Sequence, residues 1–329
     1  MSKRLIDLDI AKGICIFLVV LGHYTPDNTP SWYYTLLDVG YRFKMPFFMY
    51  ASGFIYYLSK KPVTYGAFVW KKFKHLAIPY FLVSWLIIGI KLLTDGTMHV
   101  QNPVTTFSFF EVLYIPSAGI FLWFIYVLFF IFLIIPFFNT PRKINILLVL
   151  SLVWLVIPIQ TTSLFCISRF KTYFFYFVLG CFCSQYQHII REKMGNKNVF
   201  IPVLCFAMLY VLAQLAIKQS MPVIVTCLYV CLALTGIWVT IKISQMIMRT
   251  QKLKQIFLTL AAYSYTIYLF HTTFEGFVKS FLIQYPLTVW FDNHTSFFLM
   301  ILSTVSVGVV GPILLHIFYK RIKNVLKIK

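Results

Sequence analysis

The chain has 329 residues, of which 60% are hydrophobic and 19% aromatic, while only 12% are charged, about half the charged fraction of soluble domains. Its mean hydropathy of +0.81 is that of an integral membrane protein and excludes a soluble globular domain. The net charge of +20 would suit a nucleic-acid partner, but the Lys and Arg residues stand in short clusters between apolar runs. That pattern is typical of the loops of membrane proteins and argues against nucleic-acid binding.

Apolar runs of about the length that crosses a bilayer recur along the whole sequence. Their approximate ranges are 10–24, 43–59, 76–94, 118–138, 144–159, 172–187, 199–217, 222–243, 256–277 and 296–319. The runs at 144–159 and 172–187 are short, so counts of nine or eleven remain open. We predict an all-α fold, a polytopic integral membrane helical bundle of about ten transmembrane helices. It would form a single domain over residues 1–329, with a retained first span and no appended soluble domain.

The distribution of basic residues predicts the orientation of this bundle. Of the 29 Lys and Arg residues, 21 fall on the side that holds both termini and seven on the other, and Lys12 lies within the first span. Because basic residues accumulate in cytoplasmic loops, both termini are expected in the cytoplasm. Lys12 would then lie in the cytoplasmic half of the first helix, and His23 near its outer end.

The first span carries ionisable residues, which are costly inside a membrane and usually face a protein interior or a water-filled cavity. If the helix is continuous, Lys12 and His23 are eleven residues apart. That separation is about three turns, or about 16 Å, and places both side chains on one face. His23 titrates near neutrality when unperturbed, so it could serve as a general base, and the alternative is that it only caps the helix or lies in the headgroup region. Lys12 could bind an anionic ligand or form an ion pair with Asp9, and we weigh these two roles equally.

Two further stretches bring polar or shape-determining residues into predicted helices. Ser264, Tyr268 and His271 are spaced by four and three, so they form one polar stripe on an apolar helix. The alternative for this stripe is an interhelical hydrogen bond without a catalytic role. Met45 and Pro46 fall in the first turn of the second span, where proline is tolerated.

The seven cysteines lie in or beside apolar runs, without zinc-ligand spacing. We expect free thiols, no metal and no bound cofactor. The sequence also lacks a phosphate-binding glycine loop, a dinucleotide-binding glycine motif, a hydrolase nucleophile motif and a metalloprotease motif.

Several of these stretches, taken in order, resemble the membrane-bound acyltransferase 3 family of bacteria. Lys12, ten intervening residues and His23 fit its basic-x10-His motif, and the sequence around Met45 and Pro46 resembles its second-helix signature. The remaining matches are Arg4 to Gly13, Ser52 with Gly53, Lys71 to Lys74 followed by Pro79 and Tyr80, Leu122 to Phe124, and the Ser264, Tyr268 and His271 stripe. This chain has Lys at positions 12, 71, 72 and 74 where Arg is frequent in the family, and Lys binds phosphate less directionally.

The resemblance implies an enzyme of the bacterial inner or plasma membrane, an O-acyltransferase. The donor would be a cytoplasmic acyl-coenzyme A, usually acetyl-CoA, and the acceptor a hydroxyl of an envelope glycan or a lipid-linked saccharide. His23 would be the base, with Asp9 and Lys12 in the catalytic set, although an acyl-histidine intermediate remains a variant. Arg4, Lys12, Lys71, Lys72 and Lys74 would bind the donor, unless the loop cations only set topology and contact membrane lipids.

Met45, Pro46, Ser264, Tyr268 and His271 would position the acceptor or support His23. The rival function from another class is a transporter or flippase for a glycan or its lipid carrier, because basic cavities in helical bundles suit those substrates too. Internal symmetry would favour transport, and none is evident in the sequence. An inactive scaffold in an envelope-assembly complex is the third possibility.

Overall fold

The structure is a computed structural model that describes residues 5–25, 29–96, 102–195, 198–285 and 293–325. These ranges are helical, and no strand occurs within them. The α-helices are α1 (Ile6–Leu21), α2 (Ser31–Tyr41), α3 (Lys44–Leu58), α4 (Tyr65–Lys72), α5 (Ile78–Thr94), α6 (Ser108–Glu111), α7 (Trp123–Ile134), α8 (Pro141–Val156), α9 (Ile167–Gln185), α10 (Gln187–Gly195), α11 (Phe200–Lys218), α12 (Pro222–Ile247), α13 (Gln251–Gln284) and α14 (Asn293–Val325). Shorter helical turns are Phe73–Ala77 (π), Ile120–Leu122, Ile135–Phe138 and Leu164–Cys166 (all 3₁₀).

The helical membrane bundle predicted from the sequence is confirmed. Every predicted span overlaps one of these helices. Six helical stretches in the described ranges are long and apolar enough to cross a membrane: Tyr65–Thr94, Ile120–Phe138, Leu164–Gln185, Phe200–Lys218, Pro222–Ile247 and Asn293–Val325. The count of ten spans stays a prediction.

The described chain forms two compact units. The first contains residues 45–93 and 102–239, and the second contains residues 5–44, a short stretch that starts at Thr94, and the chain from Thr240 onward. The prediction of a single domain is not tested by this division.

In the first unit, α3 and α9 approach each other through glycines. A Cβ on Gly53 would lie 1.9 Å from the carbonyl oxygen of Phe177, and a Cβ on Gly180 would lie 2.0 Å from that of Tyr50. Small residues permit such close backbone contact between membrane helices. Gly53 therefore permits the close approach of α3 and α9, and α9 supplies a reciprocal glycine, Gly180.

The entry into α5 is a π-helical turn, Phe73–Ala77, which joins α4 and α5 into one stretch of 30 residues. Pro79 lies in the first turn of α5, just after this π turn. A proline has no N–H to donate to the carbonyl four residues earlier, and its ring would clash with that carbonyl. The wider π turn removes this conflict, and such turns are frequent at functional sites.

In the second unit, α1 packs against α13 and α14. A Cβ on Gly13 would lie 2.2 Å from the carbonyl oxygen of Phe257, so only glycine allows α1 this close to α13. A Cβ on Gly308 in α14 would lie 2.8 Å from Oε1 of Glu275 in α13. The second unit is thus a tightly packed group of three helices with α2 beside them, where Tyr24, Tyr33, Leu37 and Phe297 form a small apolar core.

The first helix ends earlier than the sequence predicted. It stops at Leu21, and His23 follows in a turn in which its N–H donates to the carbonyl of Val20 at 3.0 Å. The expectation of a continuous helix from Lys12 to His23 is therefore wrong in its last residues. Gly22 and Pro26 explain the stop, because glycine lowers helix propensity and the residue before a proline avoids helical geometry.

Candidate functional site

The candidate site lies in the second unit, at the end of α1, where His23 meets α13. The ring centroids of His23 and His271 are 4.9 Å apart with an interplanar angle of 63°, an edge-to-face arrangement. His23 is half-buried, and His271 is completely buried. The structure thus brings together the two histidines that the sequence singled out from different helices.

The orientation of His271 is fixed by its own helix. Its Nδ1 lies 2.9 Å from the carbonyl oxygen of Ile267 and 2.9 Å from that of Tyr268. Because carbonyl oxygens only accept hydrogen bonds, Nδ1 carries the proton and donates. In the neutral ring Nε2 is then the atom with a lone pair, as in catalytic histidines whose tautomer is set by a neighbouring acceptor.

Two charged residues continue the stripe of His271 along α13. Glu275 is completely buried, and its Oε2 lies 4.0 Å from Nζ of Lys279. Neither carboxylate oxygen of Glu275 has a hydrogen-bond partner among the described residues. Nζ of Lys279 also donates a hydrogen bond to the backbone carbonyl of His23. A buried ion pair is costly unless other interactions compensate it, so this placement is a strong constraint on α13.

A second buried lysine reaches the same end of α1. Lys44, the first residue of α3, is only 3% exposed. Its Nζ donates to the carbonyl of Leu18 at 3.2 Å and lies 4.0 Å from the ring centroid of Tyr41. Gly22 makes room for it, because a Cβ there would lie 2.2 Å from Nζ.

Asp9 and Lys12 form the ion pair that was one of the two roles considered for Lys12. Nζ of Lys12 lies 2.7 Å from Oδ1 of Asp9 within the first turns of α1. Both side chains keep about a fifth of their surface exposed, 22% and 18%. The pair leaves Lys12 accessible, so it is compatible with a donor-binding role without testing it.

The donor-binding lysines predicted for a loop lie in helical structure of the first unit: Lys71 and Lys72 end α4, and Lys74 lies in the π turn. Lys71 and Lys74 are exposed, whereas Lys72 is half-buried with Nζ 3.5 Å from the ring centroid of Phe132. Nζ of Lys74 lies 5.6 Å from the ring of Trp70. These are cation–π contacts, which hold the ammonium groups against aromatic faces. Arg4, the remaining predicted donor-binding residue, lies outside the described residues.

The predicted acceptor-side residues are divided between the units. Met45 and Pro46 are buried in the first turn of α3, as predicted, and belong to the first unit. Ser264 donates to the carbonyl of Ala261 at 2.9 Å within α13. Tyr268 is buried, and its ring centroid lies 6.2 Å from that of His271. Of this set, Tyr268 therefore lies beside His271.

Sequence reasoning missed Lys44, Glu275 and Lys279 as site residues. Lys44 and Lys279 entered the sequence analysis only in the count of basic residues that predicts orientation. The ninth span was expected to end at residue 277, before Lys279. The usable signal was the spacing, because Glu275 and Lys279 follow His271 at intervals of four on one helical face.

The part of the chain that the structure describes contains no group of three or more His, Cys, Asp or Glu side chains that could hold a metal ion. The site therefore offers an imidazole pair, a carboxylate and two ammonium groups as its reactive and binding groups.

Comparison with known families identifies the chain. A family model described as an acyltransferase domain matches residues 5–316, nearly the whole length. The chain belongs to the acyltransferase 3 family. The protein is accordingly a membrane acyltransferase, and the resemblance noted in the sequence is confirmed. Comparisons with curated proteins and with solved structures give no match.

Proposed function

We propose that this acyltransferase moves an acyl group, acetyl in the first instance, from a cytoplasmic acyl-CoA to a hydroxyl of an envelope glycan or lipid-linked saccharide. The observation that carries the proposal is the contact of His23 with His271 in a chain that belongs to an acyltransferase family. Esters formed from thioesters need a base for the hydroxyl and no metal or redox cofactor, and an imidazole pair meets that need.

In the proposed reaction His23 takes the proton from the acceptor hydroxyl as its oxygen attacks the thioester carbonyl. The tetrahedral intermediate then collapses, the carbon–sulfur bond breaks, and the proton passes to the departing thiolate of coenzyme A. A positioned general base contributes about 10²- to 10⁴-fold to such a step. His271, with its fixed tautomer, supports the ring of His23 by edge contact.

The ammonium groups supply the counter-charges that the donor requires. Coenzyme A carries phosphates, and Lys12, Lys71, Lys72 and Lys74 are the candidates to bind them, together with Arg4. Lys12 supports this assignment most directly, since it is ion-paired yet partly exposed on the same helix that leads to His23. The acceptor would meet His23 near the outer face if both termini are cytoplasmic.

The test uses the purified full-length protein in detergent or liposomes with acetyl-CoA and a soluble glycan acceptor. The proposal expects coenzyme A release that depends on the acceptor, with the acetyl label recovered as an alkali-labile ester on the glycan. Glycan movement across the liposome membrane without coenzyme A release would instead identify a transporter. If the protein shows neither transport nor coenzyme A release, and other acyl donors are also inactive, the scaffold is favoured.

A further inference from the structure

The carboxyl end of α1 is held by side chains that come from three other elements. The last carbonyl groups of a helix depend on donors from beyond the helix. In α1 the N–H of Gly22 donates to the carbonyl of Leu18 at 3.1 Å, and side chains add further donors. The hydroxyl of Tyr33 in α2 donates a hydrogen bond to the carbonyl of Leu21 at 3.0 Å. Lys44 of α3 donates to the carbonyl of Leu18 at 3.2 Å. Lys279 of α13 donates to the carbonyl of His23, in the turn that follows the helix.

The charge of these donors suits this end of the helix. A helix carries a partial negative charge at its carboxyl end, and cations there are stabilising. The last turn of α1 contains no basic residue of its own. Lys44 and Lys279 supply the two positive charges from elsewhere in the fold, although burying an ammonium group is unfavourable unless it is compensated.

The compensation is built from specific residues. Glu275 places a carboxylate oxygen 4.0 Å from Nζ of Lys279, and Nζ of Lys44 lies 4.0 Å from the ring centroid of Tyr41. Gly22 and Gly308 leave the space that Lys44 and Glu275 occupy, since a Cβ on either glycine would lie within 2.8 Å of those side chains. Gly22 thus makes room for Lys44, and Gly308 makes room for Glu275, which pairs with Lys279.

We propose that Lys44 and Lys279 are positioning residues that fix the turn at Gly22 and His23 and thereby aim the imidazole of His23 at the acceptor hydroxyl. Glu275 acts through Lys279 by holding its amino group against the carbonyl of His23. This inference rests on the proposed role of His23 as the base. It assigns a reaction-specific role to buried charges that a purely structural account would treat as helix caps.

A structural cap and a positioning residue differ in what their loss changes. Loss of a cap lowers the stability of the fold and reduces the rate per total protein, but it leaves kcat per folded enzyme and KM unchanged. Loss of a positioning residue lowers kcat for the folded enzyme and leaves donor binding intact, because a displacement of about 1 Å of a catalytic group can reduce the rate about 10²-fold.

The experiment measures acetyl transfer by purified wild type, Lys279→Met, Lys279→Arg and Glu275→Gln, each normalised to folded protein by its melting temperature and elution profile. Lys279→Met is expected to lower kcat at least about tenfold with the KM for acetyl-CoA unchanged within about twofold. Lys279→Arg is expected to recover most of kcat, since a guanidinium can donate to the same carbonyl. Glu275→Gln is expected to fall between them. Lys218→Met, an exposed lysine at the end of α11, is the matched control with wild-type kinetics.

Equal kcat in Lys279→Met and wild type would overturn the inference, as would a loss that Lys279→Arg does not relieve. If Lys279→Met does not fold, Glu275→Gln replaces it, because the amide keeps the shape of the side chain and removes the charge that holds Lys279. A lower kcat with unchanged donor KM in folded Glu275→Gln supports the inference, and wild-type kcat opposes it. His23→Ala is measured in parallel: full activity there would refute the proposed base itself, whereas inactivity there beside an active Lys279→Met would refute only the positioning role.

Discussion

Lys12 has a structural partner in α1 and an ammonium group that is still partly exposed. Its ion pair with Asp9 at 2.7 Å explains how α1 tolerates a charge. The same ammonium group remains partly exposed on the helix that leads to His23. A kinetic comparison of the two members of the pair separates the two roles.

Lys12→Gln is expected to raise the KM for acyl-CoA about tenfold, which corresponds to about 1.4 kcal/mol of lost donor binding. Asp9→Asn is expected to leave that KM near the wild-type value, because it removes the partner and keeps the ammonium group. Both variants lose a single helical ion pair, worth about 0.2 to 0.5 kcal/mol. Steady-state kinetics with purified protein provide the measurement. Equal KM values in the two variants would show that Lys12 has only the structural role.

A substitution at Gly308 tests how Glu275 packs against α14. Gly308→Ala is expected to lower the free energy of unfolding by about 1 to 3 kcal/mol, because the new Cβ would lie 2.8 Å from Oε1 of Glu275 and 3.0 Å from Val20. Gly276→Ala in α13 is the control, since a Cβ there meets nothing within 4 Å and gains helix propensity. Melting temperatures in one detergent compare the two. An equal melting temperature for both variants would mean that Glu275 is not packed against α14 as described.

At the scale of whole elements, helix existence followed from apolar length, whereas helix ends depended on individual residues. The span predicted at 10–24 is α1, but Gly22 and the proline at position 26 end it at Leu21. The span predicted at 256–277 is α13, which continues to Gln284 because no glycine or proline interrupts it after Gly276. Helical spacing predicted the stripe of Ser264, Tyr268 and His271. The continuation of this stripe to Lys279 was missed because the predicted span ended at residue 277.

The contact between α3 and α9 predicts how substitutions at its two glycines change the stability of the fold. Gly53→Ala and Gly180→Ala should each lower the melting temperature, because the new Cβ atoms would lie 1.9 Å and 2.0 Å from backbone oxygens that cannot rotate away. The double variant should cost less than the two single changes together, since either change already separates the helices. Gly89→Ala in α5, where a Cβ meets nothing within 4 Å, should be neutral. Strict additivity would contradict a shared contact.

For the whole molecule, composition determined the class of protein, and charge distribution determined only an expected orientation. Burial of Lys44 and of the Glu275–Lys279 pair could not be read from charge counts, because a lysine between apolar runs looks the same in a loop and in a packed site. His23 and His271 are 248 positions apart in the sequence, so only the expected topology and the family resemblance related them. Their contact is a property of the folded unit.

The orientation itself is testable. The excess of Lys and Arg on the side of the termini predicts that a reporter fused after Lys329 is active in the cytoplasm. A β-galactosidase fusion should therefore be active and an alkaline phosphatase fusion inactive. The opposite pattern would reverse the side from which the donor reaches Lys12 and the acceptor reaches His23.

The most direct measurement for the central claim is the O-acetyl ester content of envelope glycans in cells that carry wild-type protein, His23→Ala, His23→Gln or no protein, at matched membrane levels. The account predicts esters with wild type only, and a loss of about 10²-fold or more in both His23 variants, because neither replacement can accept the hydroxyl proton. Wild-type ester content in His23→Ala would contradict the account, since it would show that the proton is removed by another group.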